Sequence, residues 1–458
     1  MMGHYGHIHR KQRQIDMDIE LQHMDEWRKT HYSSELSADD DGKEVVLGGW
    51  VIKNKSLGGL KFFILQDREG TCQVTAKDDN PDVPDTVKEL IPELGLMWVV
   101  MIKGTVHADS RAPGGFEIIP NEIKVVNKAI PQLPLVEGGK AELDTRLNSR
   151  VLDLRFKYSQ SIFKIQHVML AGFREFFYQN HFTEISTPKI IGSATEGGTE
   201  LFPIIYFNRE AFLSQSAQLY KEQLSSVFER VFEIAPCYRA ESSHTKRHLC
   251  EILTLDMEMA FANIDDVLGT FEKALVHVLE KVNAECPEQL KVLKQKLEIP
   301  ELPLKRYTYS EIIELLQTKG KYNIEWGEDI TTDAYRVLDK FMKGYFYIQN
   351  WPTEAKPFYI QPCKDDPKVS ESFDLQYGFL ELASGGTRIH NKEYLIERLQ
   401  EKKLNPESFA DHLAAFDYGM PPHAGLGFGV GRFLTVLTGA QDIREAVLYP
   451  RTPERLTP

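Results

Sequence analysis

The sequence predicts an α+β chain in two parts, a small five-stranded β-barrel followed by a larger domain of helices on an antiparallel sheet. Three observations predict it. Residues 44–127 alternate short β-rich runs with turn residues, residues 129–139 carry the Pro and Gly of a linker, and residues 151–458 alternate long amphipathic stretches with strand-like runs. At 458 residues the chain exceeds one ordinary core and fits one small plus one large domain.

Residues 1–32 are polar, include His4, His7, His9 and His23, and show no sustained periodicity. This reads as a disordered extension rather than a metal-binding arm, and it lacks the apolar centre of a secretory signal. Residues 33–128 form the barrel domain, with strands expected at 45–53, 60–67, 71–76, 98–107 and 116–126 and turns at Gly58-Gly59 and Gly114-Gly115. Five such strands suggest an OB-fold, a barrel shared by many unrelated functions. Residues 129–150 read as a hinge. Residues 151–458 read as one domain, with a helix over 159–180 and strands over 231–238 and 379–383.

Composition narrows the function. The longest apolar run, 96–102, is far shorter than the ~20 residues of a membrane span. A net charge of −13 argues against coating nucleic acid by bulk charge, so any RNA contact must come from local patches and base readout. The five cysteines are scattered with no CxxC pair, which argues against disulfides and a zinc site. A reducing, cytoplasmic location is expected.

No GxxxxGK[ST] loop and no HIGH or KMSKS tetrapeptide occurs, so a nucleotide enzyme here must hold phosphates with arginines and metal. Three segments can do this. Tyr238-Arg239-Ala240-Glu241, a polar loop, and Arg247-His248 read as a hairpin that aims an Arg and a His above a sheet. Gly425-Leu426-Gly427-Phe428-Gly429-Val430-Gly431-Arg432 brings backbone close to a ligand and places Arg432 where a helix begins. Asp374 stands seven residues before Glu381, and on a strand the two carboxylates can both reach one divalent ion.

Together and in this order, these segments resemble the class II aminoacyl-tRNA synthetases, in the aspartyl branch of archaeal and eukaryotic type. The resemblance covers residues 30–458. Phe182-Thr183-Glu184-Ile185-Ser186-Thr187-Pro188 resembles the family's first motif, at the homodimer interface; residues 239–251 resemble the second and 425–432 the third. The resemblance implies ATP and L-aspartate as substrates, with Mg²⁺ as cofactor. It implies that Arg239 and Arg432 are catalytic, contacting phosphates, with Glu241, His248 and Gly427 also at ATP and Asp374, Glu381 and Ser384 at the metal. The loop 194–200 resembles the one that closes over the amino acid, with Glu196 at its ammonium group. Gln218, Lys221, Asp256 and Arg388 would line the amino-acid pocket. In the barrel, Phe62 would stack on the anticodon while Gln73 and Glu117 read base edges. The chain departs from the family at Gly431, where an acidic residue is usual, at Ile252 in place of an aromatic, and at Gln66 in place of an Arg.

Asparaginyl relatives share the three motifs. Lys221, Asp256 and the segment Glu354-Ala355-Lys356-Pro357-Phe358-Tyr359 resemble the aspartyl type, and a buried Lys and Arg suit a carboxylate better than an amide. The alternatives are an asparaginyl enzyme, an ammonia-using asparagine synthetase, which would lack the barrel, and a catalytically silent RNA-binding paralogue. Ile52 and Pro113 stand where strict relatives carry Trp and Lys, which implies charging of both tRNA-Asp and tRNA-Asn.

Overall fold

A computed structural model describes residues 19–192, 200–240 and 248–458. The chain divides into two compact units, Met1–Val136 and Glu137–Pro458.

In the first unit, strands Glu44–Leu57, Leu60–Gln66, Thr71–Lys77, Phe116–Asn127 and Val99–Ala108 pair in that order, and the last closes on the first as a barrel. Alternation decides which side chains enter it. Val45, Leu47, Phe63, Leu65, Val74, Val100, Ile102 and Ile118 are buried inside, each contributing about 1.5–3 kcal/mol. A one-residue slip would exchange Phe63 for Phe62, so burial also fixes the register. Residues 19–32 lie on this barrel rather than apart from it. Gln22 N–H donates to the Val125 carbonyl at 2.8 Å and Thr30 N–H to that of Val46 at 2.9 Å. Trp27 is buried with the Lys103 and Lys124 ammonium groups 4.3 and 4.8 Å from its ring centre. Polar composition concealed this, because one indole and two cations supply the attachment.

The second unit is built on an eight-stranded sheet. Its strands run Lys305–Thr308, Tyr345–Gln349, Ser372–Tyr377, Leu380–Thr387, His423–Gly429, Glu251–Ala260, Arg230–Tyr238 and Thr183–Glu184. The six central strands are antiparallel and each outermost strand pairs parallel to its neighbour. One face is covered by helices Lys157–Gln179 and Ile264–Glu285. Asn263 caps the second, accepting hydrogen bonds from the Asp265 and Asp266 N–H groups. Ile162, Ile165, Met169, Phe173 and Phe177 recur at helical spacing and are fully buried. Phe173 lies 6.2 Å from Phe271 and 5.5 Å from Phe428, ring centre to ring centre. The apolar stripe of helix Lys157–Gln179 is therefore core of its own unit.

Candidate active site

Strand register lays out the site. Asp374 pairs with Ser384, Ser384 with Gly427, Gly427 with Asp256, and Asp256 with Glu233, so one polar row crosses the sheet on one face. The adjoining row, Leu375, Ala383, Phe428 and Leu255, faces the helices and is buried. Glu381 and Ser384 are three apart, which regular alternation would put on opposite faces. A bulge between Leu375 and Gln376 instead sets Glu381 opposite Gln376, on the face of Asp374 and Ser384. The glycines make room for carboxylates. At Gly425 a Cβ would overlap the Glu258 carboxylate and the Met257 carbonyl, and at Gly427 it would stand 3.3 Å from Asp256 Oδ1.

A cavity of about 650 Å³ opens over this face, lined by Gln218, Arg239, His248, Asp256, Glu381, Ser384, Arg388, Gly427 and Arg432 among others. His248, Lys356, Glu381 and Arg432 also line an adjoining cavity of about 370 Å³, whose wall includes Asp374. This end gathers cations suited to a polyanion. Arg432 lies in the first turn of helix Val430–Thr438 and its Nη1 donates to the Glu381 carbonyl at 3.1 Å. Arg239 follows strand Arg230–Tyr238 directly, and its N–H donates to the Cys250 carbonyl at 2.9 Å. Asp374 is held by Lys356, whose Nζ donates to both carboxylate oxygens at 2.8 and 2.9 Å. Loss of water first, then the Asp374 carboxylate, pushes the Glu381 carboxyl above its ordinary range. Among the described residues no cluster of three or more His, Cys, Asp and Glu could hold a metal alone.

The other part of the cavity is charged but balanced. Arg388, 2% exposed, donates from Nε and Nη2 to Glu258 at 2.9 and 3.2 Å and lies over the Tyr359 ring. Its Nη1 makes no hydrogen bond to a described residue, which leaves a donor for a substrate oxygen. Lys221 is not on the cavity wall. It lies behind Asp256, donating to Asp256 Oδ1 at 2.9 Å and to the Leu426 carbonyl at 2.8 Å, with Glu258 Oε2 at 3.6 Å. This corrects the expectation that an amide substrate would leave the buried Lys and Arg unmatched: Asp256 and Glu258 already match both. The net charge of the pocket is therefore balanced among these four groups, and the one guanidinium edge without a hydrogen bond to a described residue is Arg388 Nη1.

Glu258, Lys356 and Glu222 were missed as partners of the site residues. Thr254, Asp256 and Glu258 alternate with apolar neighbours on a central strand, and that pattern is the readable signal, since buried carboxylates require cations. Glu196 and Glu241 lie outside the described residues.

On the barrel, Phe62, Ile64, Gln73, Thr75 and Glu117 share the outward face, by the pairs Phe62–Thr75, Ile64–Gln73 and Gln73–Glu117. Phe62 is half-buried there rather than in the core. Gln73 Nε2 donates to Glu117 Oε2 at 3.2 Å and to Thr75 Oγ1 at 3.1 Å. Glu117 Oε1 is buried without a hydrogen-bond partner. The two expected base readers therefore hold each other, with one acceptor left over.

Comparison with known proteins matches residues 142–453 to a family described as tRNA synthetases class II (D, K and N), and residues 45–126 to one described as OB-fold nucleic acid binding domain. The Aspartate--tRNA(Asp/Asn) ligase of Methanothermobacter thermautotrophicus is 47% identical over 94% of this chain and 99% of its own length. That of Sulfurisphaera tokodaii is 48% identical over 94% and 100%. Among solved structures, asparaginyl-tRNA synthetase from Pyrococcus horikoshii complexed with asparaginyl-adenylate is 31% identical. It aligns with a TM-score of 0.89 over 94% of this chain and 100% of that one.

Proposed function

Because the chain belongs to the class II tRNA synthetases of the D, K and N group, we infer that it is an aspartate–tRNA ligase. It activates L-aspartate with ATP and transfers it to tRNA. The observation that carries the reading is one cavity with a cationic end, at Arg239, His248 and Arg432, and a buried guanidinium, Arg388, as a separate anchor. Identities of 47% and 48% to aspartate ligases, over nearly their full lengths, support aspartate as the amino acid.

In this reading Arg388 takes the side-chain carboxylate of aspartate and leaves its α-carboxylate toward the cationic end. That carboxylate is ionised at neutral pH and attacks the α-phosphorus without a general base. The difficulty is charge, because an anion approaches a polyanion. Arg239, His248 and Arg432 stabilise the phosphoryl oxygens as charge grows there. Asp374, Glu381 and Ser384 would hold Mg²⁺: they are hard oxygen donors on one face of the sheet. Bound there, the ion would neutralise phosphate charge.

We also propose a homodimer. Tyr178, at the end of helix Lys157–Gln179, is 81% exposed and Ile190, just past Pro188, is 49% exposed, on either side of the segment 182–188 that resembles the family's interface motif. Light scattering at micromolar concentration is expected to give twice the chain mass; a mass of one chain would refute the dimer.

The barrel is proposed to read the anticodons of both tRNA-Asp and tRNA-Asn. Ile52 sits at the bulge between Val51 and Lys53, and Pro113 opens the turn Pro113–Gly115, so neither position offers a ring or a cation. Lys53 and Lys55, opposite Ile64 and Phe62, bring positive charge that suits phosphates but carries no base information. Aspartylation of purified tRNA-Asp and tRNA-Asn should give kcat/KM values within about tenfold, and a preference for tRNA-Asp above about a hundredfold would exclude relaxed recognition.

A further inference from the structure

Helix Gln218–Phe228 turns an entirely polar face into the protein: Gln218, Lys221, Glu222 and Ser225 are all buried, at helical spacing. Glu222 is 0% exposed and does not line the cavity. Its Oε1 accepts a hydrogen bond from Gln218 Nε2 at 2.6 Å, and its Oε2 faces His423 Nε2 at 3.5 Å and His412 Nε2 at 3.6 Å. His423 presents an N–H to it: its Nδ1 must donate to the Pro421 carbonyl at 2.8 Å, so an N–H on Nε2 as well makes the ring an imidazolium. His412 Nδ1 lies 3.2 Å from the Gln223 amide nitrogen. Burial alone would push the Glu222 carboxyl up, but His423, His412 and Arg388 hold it below the ordinary range. Glu222 is thus a carboxylate and can only accept.

An acceptor-only neighbour settles which way a buried amide points. Gln218 must turn its NH₂ group to Glu222, which leaves its Oε1 at the cavity wall with no hydrogen bond from a described residue. The other acceptor nearby is already engaged, since Asp256 takes Lys221 on Oδ1 and Thr254 Oγ1 on Oδ2. Aspartate offers one N–H-bearing group, its α-ammonium. We propose that Glu222 is a positioning residue for the amino-acid substrate: it fixes the Gln218 amide so that the carbonyl oxygen, not the NH₂, meets the α-ammonium group. The inference rests on aspartate being the substrate. Without the carboxylate, one amide oxygen at position 222 would have to serve Gln218 and His423, and the orientation of Gln218 would no longer be dictated.

The test compares two ligands that differ at the ammonium group, aspartate and succinate, in ATP–pyrophosphate exchange by the full chain. Glu222→Gln should raise the aspartate KM about tenfold or more, while the inhibition constant of succinate and the KM for ATP stay within about twofold. Glu222→Asp keeps the charge opposite His423 but draws the carboxylate back from Gln218; it should give the same split and serves if the first variant fails to fold. Equal weakening of aspartate and succinate would mean a packing role, and no change in either would mean no role; both overturn the proposal. Absence of aspartate-dependent exchange in the unaltered chain would instead overturn the assignment of the substrate.

Discussion

Arg388→Leu is expected to abolish aspartate-dependent ATP–pyrophosphate exchange while ATP still binds. Arg388 holds Glu258 through Nε and Nη2 and offers Nη1 to the cavity, away from the second cavity that Asp374, Glu381 and Arg432 share. Its loss removes the anchor of the substrate carboxylate from a desolvated pocket, a change of about 2–5 kcal/mol, or roughly thirtyfold to several thousandfold in kcat/KM. The substitution also leaves Glu258 buried with Lys221, at 3.6 Å, as its remaining ion pair among the described residues. Some stability will be lost, so ATP affinity by calorimetry serves as the check on folding. Exchange within about tenfold of the unaltered chain, at unchanged ATP affinity, would show that Arg388 does not hold the substrate.

Arg432→Ala should act on the other end of the reaction. Its guanidinium is anchored at the Glu381 carbonyl, within 3.7 Å of the Glu381 carboxylate, and lines both cavities. A preorganised cation that meets charge developing on phosphate is worth about 10²–10³-fold in kcat. The KM for aspartate should move little, because Arg432 is not among the groups around Arg388. Steady-state exchange kinetics with each substrate varied in turn separates these terms. A kcat within about fivefold of normal would remove Arg432 from the catalytic set.

Much of this was legible in the sequence because it depends on short-range rules. The five barrel strands follow from alternating runs broken by Gly pairs, and the helix over 159–180 from apolar residues three and four apart. Arg239, His248 and Arg432 could be set together only by resemblance, since nothing local brings residues 239 and 432 to one cavity. What escaped was non-local or irregular. The bulge at Leu375 and Gln376, which turns Glu381 to the face of Ser384, has no signature in the run from Asp374 to Ser384. Lys221 reads as a substrate ligand, yet Asp256 and Glu258 draw it beneath the wall, and Lys356 claims Asp374 in the same way. Ion pairs between distant segments are set by the sheet register, which sequence spacing does not encode. Trp27 shows the same limit at the barrel, where one side chain seats a stretch whose composition reads as solvent-exposed.

Aspartate is the proposed activated amino acid, with Arg388 rather than net pocket charge as its proposed selector. The direct test is ATP–pyrophosphate exchange by the unaltered chain with aspartate and with asparagine in parallel. Exchange should proceed with aspartate and fall by about 10⁴-fold in kcat/KM with asparagine, because the amide offers Arg388 a neutral oxygen and brings an N–H₂ group against a cation. Asparagine supporting exchange as well as aspartate, or better, would contradict it.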